Sequence, residues 1–99
     1  MDKGGGSEKT SEKAEQRGLW KLMLKLPALR GRLQLVAAHS QSVRGLCEAY
    51  DEASSMLERL RNSRVPSDKV MIAEYENICS EIETEIIQYF LNSPPGVPK

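Results

Sequence analysis

Residues 67–91 read SDKVMIAEYENICSEIETEIIQYFL, and the fold class follows from where the apolar side chains fall in that stretch. Met71, Tyr75, Ile78, Ile82, Ile86 and Tyr89 recur at steps of four, three, four, four and three, the period of one helical face. Ile72, Cys79 and Phe90 widen the line into a stripe that expects a core. Ser67 is placed to cap the helix, Asp68 stands in its first turn at the positive end of the dipole, and Pro66 lies just outside. Glu74, Glu76, Glu81, Glu83 and Glu85 occupy the remaining face as a solvated acidic side.

Working outward, Ser42 to about Arg61 repeats the pattern. Val43, Leu46, Tyr50, Ala53, Leu57 and Leu60 are separated by three, four, three, four and three. The link Asn62–Ser67 is short and rich in turn formers, a length that joins antiparallel neighbours in helical bundles. An antiparallel helical hairpin is expected, turning near Arg64, with Leu57 near Ile72, Tyr50 near Ile78 or Cys79, and Val43 near Ile86. Two helices cover only one side of each stripe, so a homodimeric four-helix arrangement is a further expectation.

Before the hairpin, Leu29, Leu33, Val36 and Ala37 fit one face of a shorter basic helix from about Ala28 to Ala38, with Pro27 suited to its first turn. His39-Ser40-Gln41-Ser42 reads as a break capped by Ser40 or Ser42, or as a bend in one continuous helix. Strands are not expected. Val, Ile and Thr together number twelve against eleven Leu, and the isoleucines sit at helical spacing. The fold class is therefore all-α. Residues 1–18 hold Gly4-Gly5-Gly6 and charged and hydroxyl side chains with no large apolar residue, the composition of a disordered polar tail. The helical domain runs over 19–92, and the Pro-rich residues 93–99 are expected to be extended.

With 99 residues, one domain is expected, and the small core such a chain can bury favours help from a partner. Fourteen basic and fourteen acidic residues cancel, which argues against a nucleic-acid binder driven by total charge. The charges are unevenly spread. Residues 1–45 hold nine basic and four acidic side chains, and residues 68–99 hold two and six. Between Arg17 and Arg44 six basic residues stand without one acid. Such polarity steers a partner or holds one half of the molecule against the other. A polar start and only two cysteines, Cys47 and Cys79, point to a reduced, cytoplasmic protein, and no apolar run reaches the length of a membrane span.

Chemistry finds little footing. Cys47, Cys79 and His39 lack the close spacing of a metal site, and the two thiols read as core volume. No pair of glutamates is singled out, and the glycine run follows no strand, so no catalytic residue, cofactor or metal is assigned. The sharpest feature is the cationic run around Trp20. It has three readings: packing on the chain's own core, insertion into a partner's groove, or lying on an anionic membrane surface. Trp20, Leu22, Met23, Leu26, Arg30 and Arg32 are the expected partner-binding residues. The expected function is a small non-enzymatic adaptor or regulator binding a protein partner or a second copy. Membrane-surface attachment through Trp20 is the alternative.

At Leu46-Cys47-Glu48-Ala49-Tyr50-Asp51-Glu52-Ala53, followed by Ala73-Glu74-Tyr75 and Glu81-Ile82-Glu83, the chain resembles short uncharacterised bacterial proteins of helical-hairpin type. The resemblance spans about residues 28–91 through the motif Leu-Cys-x-x-Tyr-x-x-Ala. It implies a fold and no activity, so no functional residue is carried over. The Trp20 segment lies outside it.

Overall fold

Ser40 decides between one bent helix and two. Its backbone is extended (φ −119°, ψ 116°), and its hydroxyl accepts a hydrogen bond from the Val43 N–H at 3.2 Å. A cap of this kind contributes about 1 kcal/mol. The computed structural model describes residues 3–63 and 68–92, with side chains from Glu12 onward. Its elements are α1 (Lys3–Lys25), a 3₁₀ turn (Pro27–Leu29), α2 (Arg30–His39), α3 (Gln41–Asn62) and α4 (Asp68–Asn92). The protein is all-α, with no strand among the described residues. The capping role of Ser67, the turn at Arg64 and the extended 93–99 segment lie outside them.

Local chemistry sets the breaks. Pro27 disfavours helix in the residue before it, and α1 ends at Lys25 with Leu26 at φ −122°, ψ 67°. At the end of α2 the Arg44 guanidinium donates to the Ala37 carbonyl at 2.9 Å, satisfying one of the acceptors that a helix terminus leaves open.

Both α1 and α4 pack along α3. The core joins Leu22 of α1, Leu33 and Ala37 of α2, the α3 line Val43, Cys47, Tyr50, Ala53 and Leu57, and Cys79, Ile82, Ile86 and Phe90 of α4. Between α3 and α4, the Tyr50 hydroxyl donates to Glu83 at 2.6 Å and Arg61 pairs with Glu76 at 2.7 Å. Later residues of α3 thus meet earlier residues of α4. The hydroxyl of Tyr50 reaches about one turn past Ile78 and Cys79, the two neighbours expected for it.

On α4 the buried line is Ile72, Tyr75, Cys79, Ile82, Ile86 and Phe90, with Ile72 and Tyr75 half-buried. The stripe is therefore centred slightly round the helix from the Met71–Tyr89 line read in the sequence. Met71 and Ile78 are left on its shoulder, each 40% exposed. The molecule measures 50 × 41 × 17 Å, and the outer helices α1 and α4 each keep a side in water.

The polar tail expected through residue 18 requires correction. Residues 12–18 belong to α1, where Ala14 and Gly18 are buried and Arg17 reaches Asp51 of α3. The physical reason is the small size of Ala14 and Gly18. At one-turn spacing ahead of Leu22 they are buried, and Gly18 lies close against the Cys47 backbone, so a segment without large apolar residues still packs.

Candidate functional site

Helical geometry divides the six expected partner-binding residues. Leu22 is wholly buried, and Met23 and Leu26 are half-buried against the core. Two residues along a helix is a turn of about 200°, so Trp20 points away from the core that holds Leu22. Trp20 is 66% exposed. Arg30 and Arg32 are exposed on α2, and the Arg32 guanidinium sits 4.9 Å from the centroid of the Phe90 ring, capping the core there. These six residues therefore do not form one surface.

Leu24, absent from the expected set, is 75% exposed and one turn beyond Trp20. With Lys13 and Arg17 it completes an outward ridge on α1, Lys13-Arg17-Trp20-Leu24, at steps of four, three and four. The signal was available in the spacing. Reading the whole Leu19–Leu26 run as one apolar block hid it.

The basic run is partly neutralised from within. Asp51, only 3% exposed, accepts from Lys21 Nζ at 2.9 Å and from Arg17 Nη2 at 3.2 Å, with Arg17 Nε at 3.3 Å from both oxygens. Lys21 also donates to the Ser54 and Ser55 hydroxyls at 2.8 and 3.3 Å. Lys25 pairs with Glu83 at 3.4 Å, and Glu83 accepts from Tyr50. Of the two roles that charge polarity suggested, holding the molecule's parts together is the one these contacts perform.

Burial by itself pushes the Asp51 carboxyl up, but hydrogen bonds from Lys21 and Arg17, helped by their charges, hold it below the usual carboxylate value. A carboxyl lowered on folding adds stability above its unfolded pKa of about 3.9 and loses it as pH falls through the lower folded value. We expect the melting temperature of Asp51→Asn to lie below wild type at neutral pH by a loss of about 1–3 kcal/mol, with the two curves converging below about pH 4. Parallel melting curves through that window would show that Asp51 does not carry the effect.

Between α1, α3 and α4 lies a cleft of about 600 Å³, bordered by Lys21, Lys25, Tyr50, Leu57, Cys79 and Glu83. Lys25 and Glu83 are paired there and Lys21 is held by Asp51, Ser54 and Ser55, so a ligand drawn to these groups must compete with those contacts. Burial and then the Glu83 carboxylate raise the Tyr50 hydroxyl well above its ordinary value, keeping it a proton donor. Burial, followed by the Glu15 charge, pushes the Cys47 thiol up to about 11. Burial and Glu83 also raise Cys79. Both cysteines are free and buried, and thiols with so little thiolate are poor nucleophiles.

His39 is exposed at the end of α2. Among the described residues no group of three or more His, Cys, Asp or Glu side chains is placed to hold a metal ion. No helix among them is long and apolar enough to cross a membrane. No family model, curated protein or solved structure matches the chain.

Proposed function

We propose that this chain is a small, non-enzymatic protein-binding adaptor or regulator of the cytoplasm that docks through the outward ridge of α1. The observation that carries the reading is the pair Trp20 and Leu24, 66% and 75% exposed one turn apart, on a helix whose opposite side is packed. A large aromatic flanked by arginine and lysine is the composition of an interface anchor. Its support is the Asp51 network and the α3–α4 pair, read as an antiparallel hairpin on the Tyr50–Glu83 and Arg61–Glu76 bonds.

Attachment to an anionic bilayer is the weaker reading. Leu22, Met23 and Leu26 turn inward, leaving two large apolar side chains of the run fully available for insertion, and Arg17, Lys21 and Lys25 already hold carboxylates of their own chain. The test is capture on the immobilised full chain, wild type beside Trp20→Glu/Leu24→Glu, with circular dichroism confirming that both fold alike. Proteins, or the chain itself, retained by wild type and lost by the variant are expected. An unchanged bound set would overturn the reading, and Trp20-dependent flotation with anionic vesicles would replace it with the membrane one.

A further inference from the structure

The α1 ridge has a complement on the same molecule. Along α4, Met71, Glu74, Ile78, Glu81 and Glu85 follow one another at steps of three, four, three and four, so they share a side of the helix. All five are exposed, with Met71 and Ile78 in the first half of this side, Glu74 between them, and Glu81 and Glu85 at its end. The α1 ridge has the opposite order, with Lys13 and Arg17 first and Trp20 and Leu24 last. Laid antiparallel with Trp20 against Ile78, the two helices bring Lys13 to Glu85 and Leu24 to Glu74, one turn from Met71, while Arg17, already paired with Asp51 of its own chain, lies over Glu81. Laid parallel at the same anchor, Lys13 falls on Met71 and Leu24 on the buried Ile82, which sets charge against an apolar group. The antiparallel orientation sets Trp20 on Ile78 and Lys13 on Glu85 and leaves Leu24 beside Glu74, one turn from Met71, whereas the parallel one sets Lys13 on an apolar group.

We infer that the partner of the α1 ridge is a second copy of this chain, which receives Lys13, Trp20 and Leu24 antiparallel on its Met71–Glu85 side of α4. The inference rests on the binding role proposed above and names its occupant. The contact is heterologous, ridge to face, unlike an isologous ridge-to-ridge dimer. The zero net charge of the chain lets copies approach without overall repulsion, while the local opposite charges set the register.

Analytical ultracentrifugation of the full chain tests it. Wild type is expected to self-associate at tens of micromolar and to do so less as salt rises. Trp20→Glu/Leu24→Glu destroys the ridge and Met71→Glu/Ile78→Glu destroys the face, and each alone is expected to weaken association by roughly thirtyfold or more. Mixed together they are expected to form a one-to-one complex, because one supplies an intact face and the other an intact ridge. Ile78 is partly packed, so Glu81→Lys serves as the face variant that leaves the core untouched. Lys13→Glu and Glu85→Lys are each expected to weaken association by about three- to tenfold, with the double exchange restoring it.

A wild type that stays monomeric overturns the inference, and the capture experiment then decides the binding role separately. Association that persists in either variant alone, or a mixture that fails to pair although wild type does, also overturns it.

Discussion

Replacing Gly18 by alanine is expected to lift α1 off α3. A Cβ built at Gly18 overlaps the carbonyl oxygen and carbon of Cys47, and these are backbone atoms that no rotamer change can move aside. Alanine favours helix over glycine by about 1 kcal/mol, so an isolated α1 gains from the change. The steric conflict is larger. Overpacking a filled contact costs about 1–3 kcal/mol and more where nothing yields, against a net stability of about 3–5 kcal/mol for a single core of this size. Chemical denaturation followed by circular dichroism is expected to show Gly18→Ala losing about 3 kcal/mol, with the Arg17 and Lys21 contacts to Asp51 lost as well.

Gly31 and Gly45 supply the control. Both lie within helices, and nothing comes within 4 Å of a Cβ at either position. Gly31→Ala and Gly45→Ala are expected to stabilise by about 0.5–1 kcal/mol each. If all three substitutions shift stability in the same direction, the close approach at Cys47 is not what holds α1.

Leu22 and Leu24 form the second contrast, two positions apart in one helix. Leu22 is fully buried among the core side chains, so Leu22→Ala removes apolar burial and leaves a cavity, at a cost of about 2–5 kcal/mol. Leu24 is 75% exposed, and Leu24→Ala is expected to change stability by no more than about 0.5 kcal/mol. Association should respond in reverse, with Leu24→Ala weakening it while the fold stays intact. Equal losses of stability from the two would mean that α1 is rotated from the orientation described here.

Much of the fold was legible because helical periodicity is local. The α4 stripe needs only the spacing of its isoleucines, and a hydroxyl before a periodic run marks Ser40 or Ser42 as a cap without choosing between them or excluding a continuous bend. Pro27 announces the start of the following helical stretch in the same way. The candidate site was legible only in part, since Trp20 stood out but was grouped with Leu22, Met23 and Leu26. A run read as a block has no inside or outside. Only a helical phase separates Trp20 and Leu24 from Leu22.

Spacing and residue type alone thus settled the helical class and the approximate inward lines of α3 and α4, because each depends on neighbours a few positions away. The tertiary structure decided that residues 12–18 join α1, that Asp51 is the buried partner of Arg17 and Lys21, and that Met71 and Ile78 remain on an open shoulder. Those outcomes depend on side chains about 30 or more positions apart and on how closely two backbones can approach at Gly18. Such distances are set by packing in three dimensions, which no local period encodes.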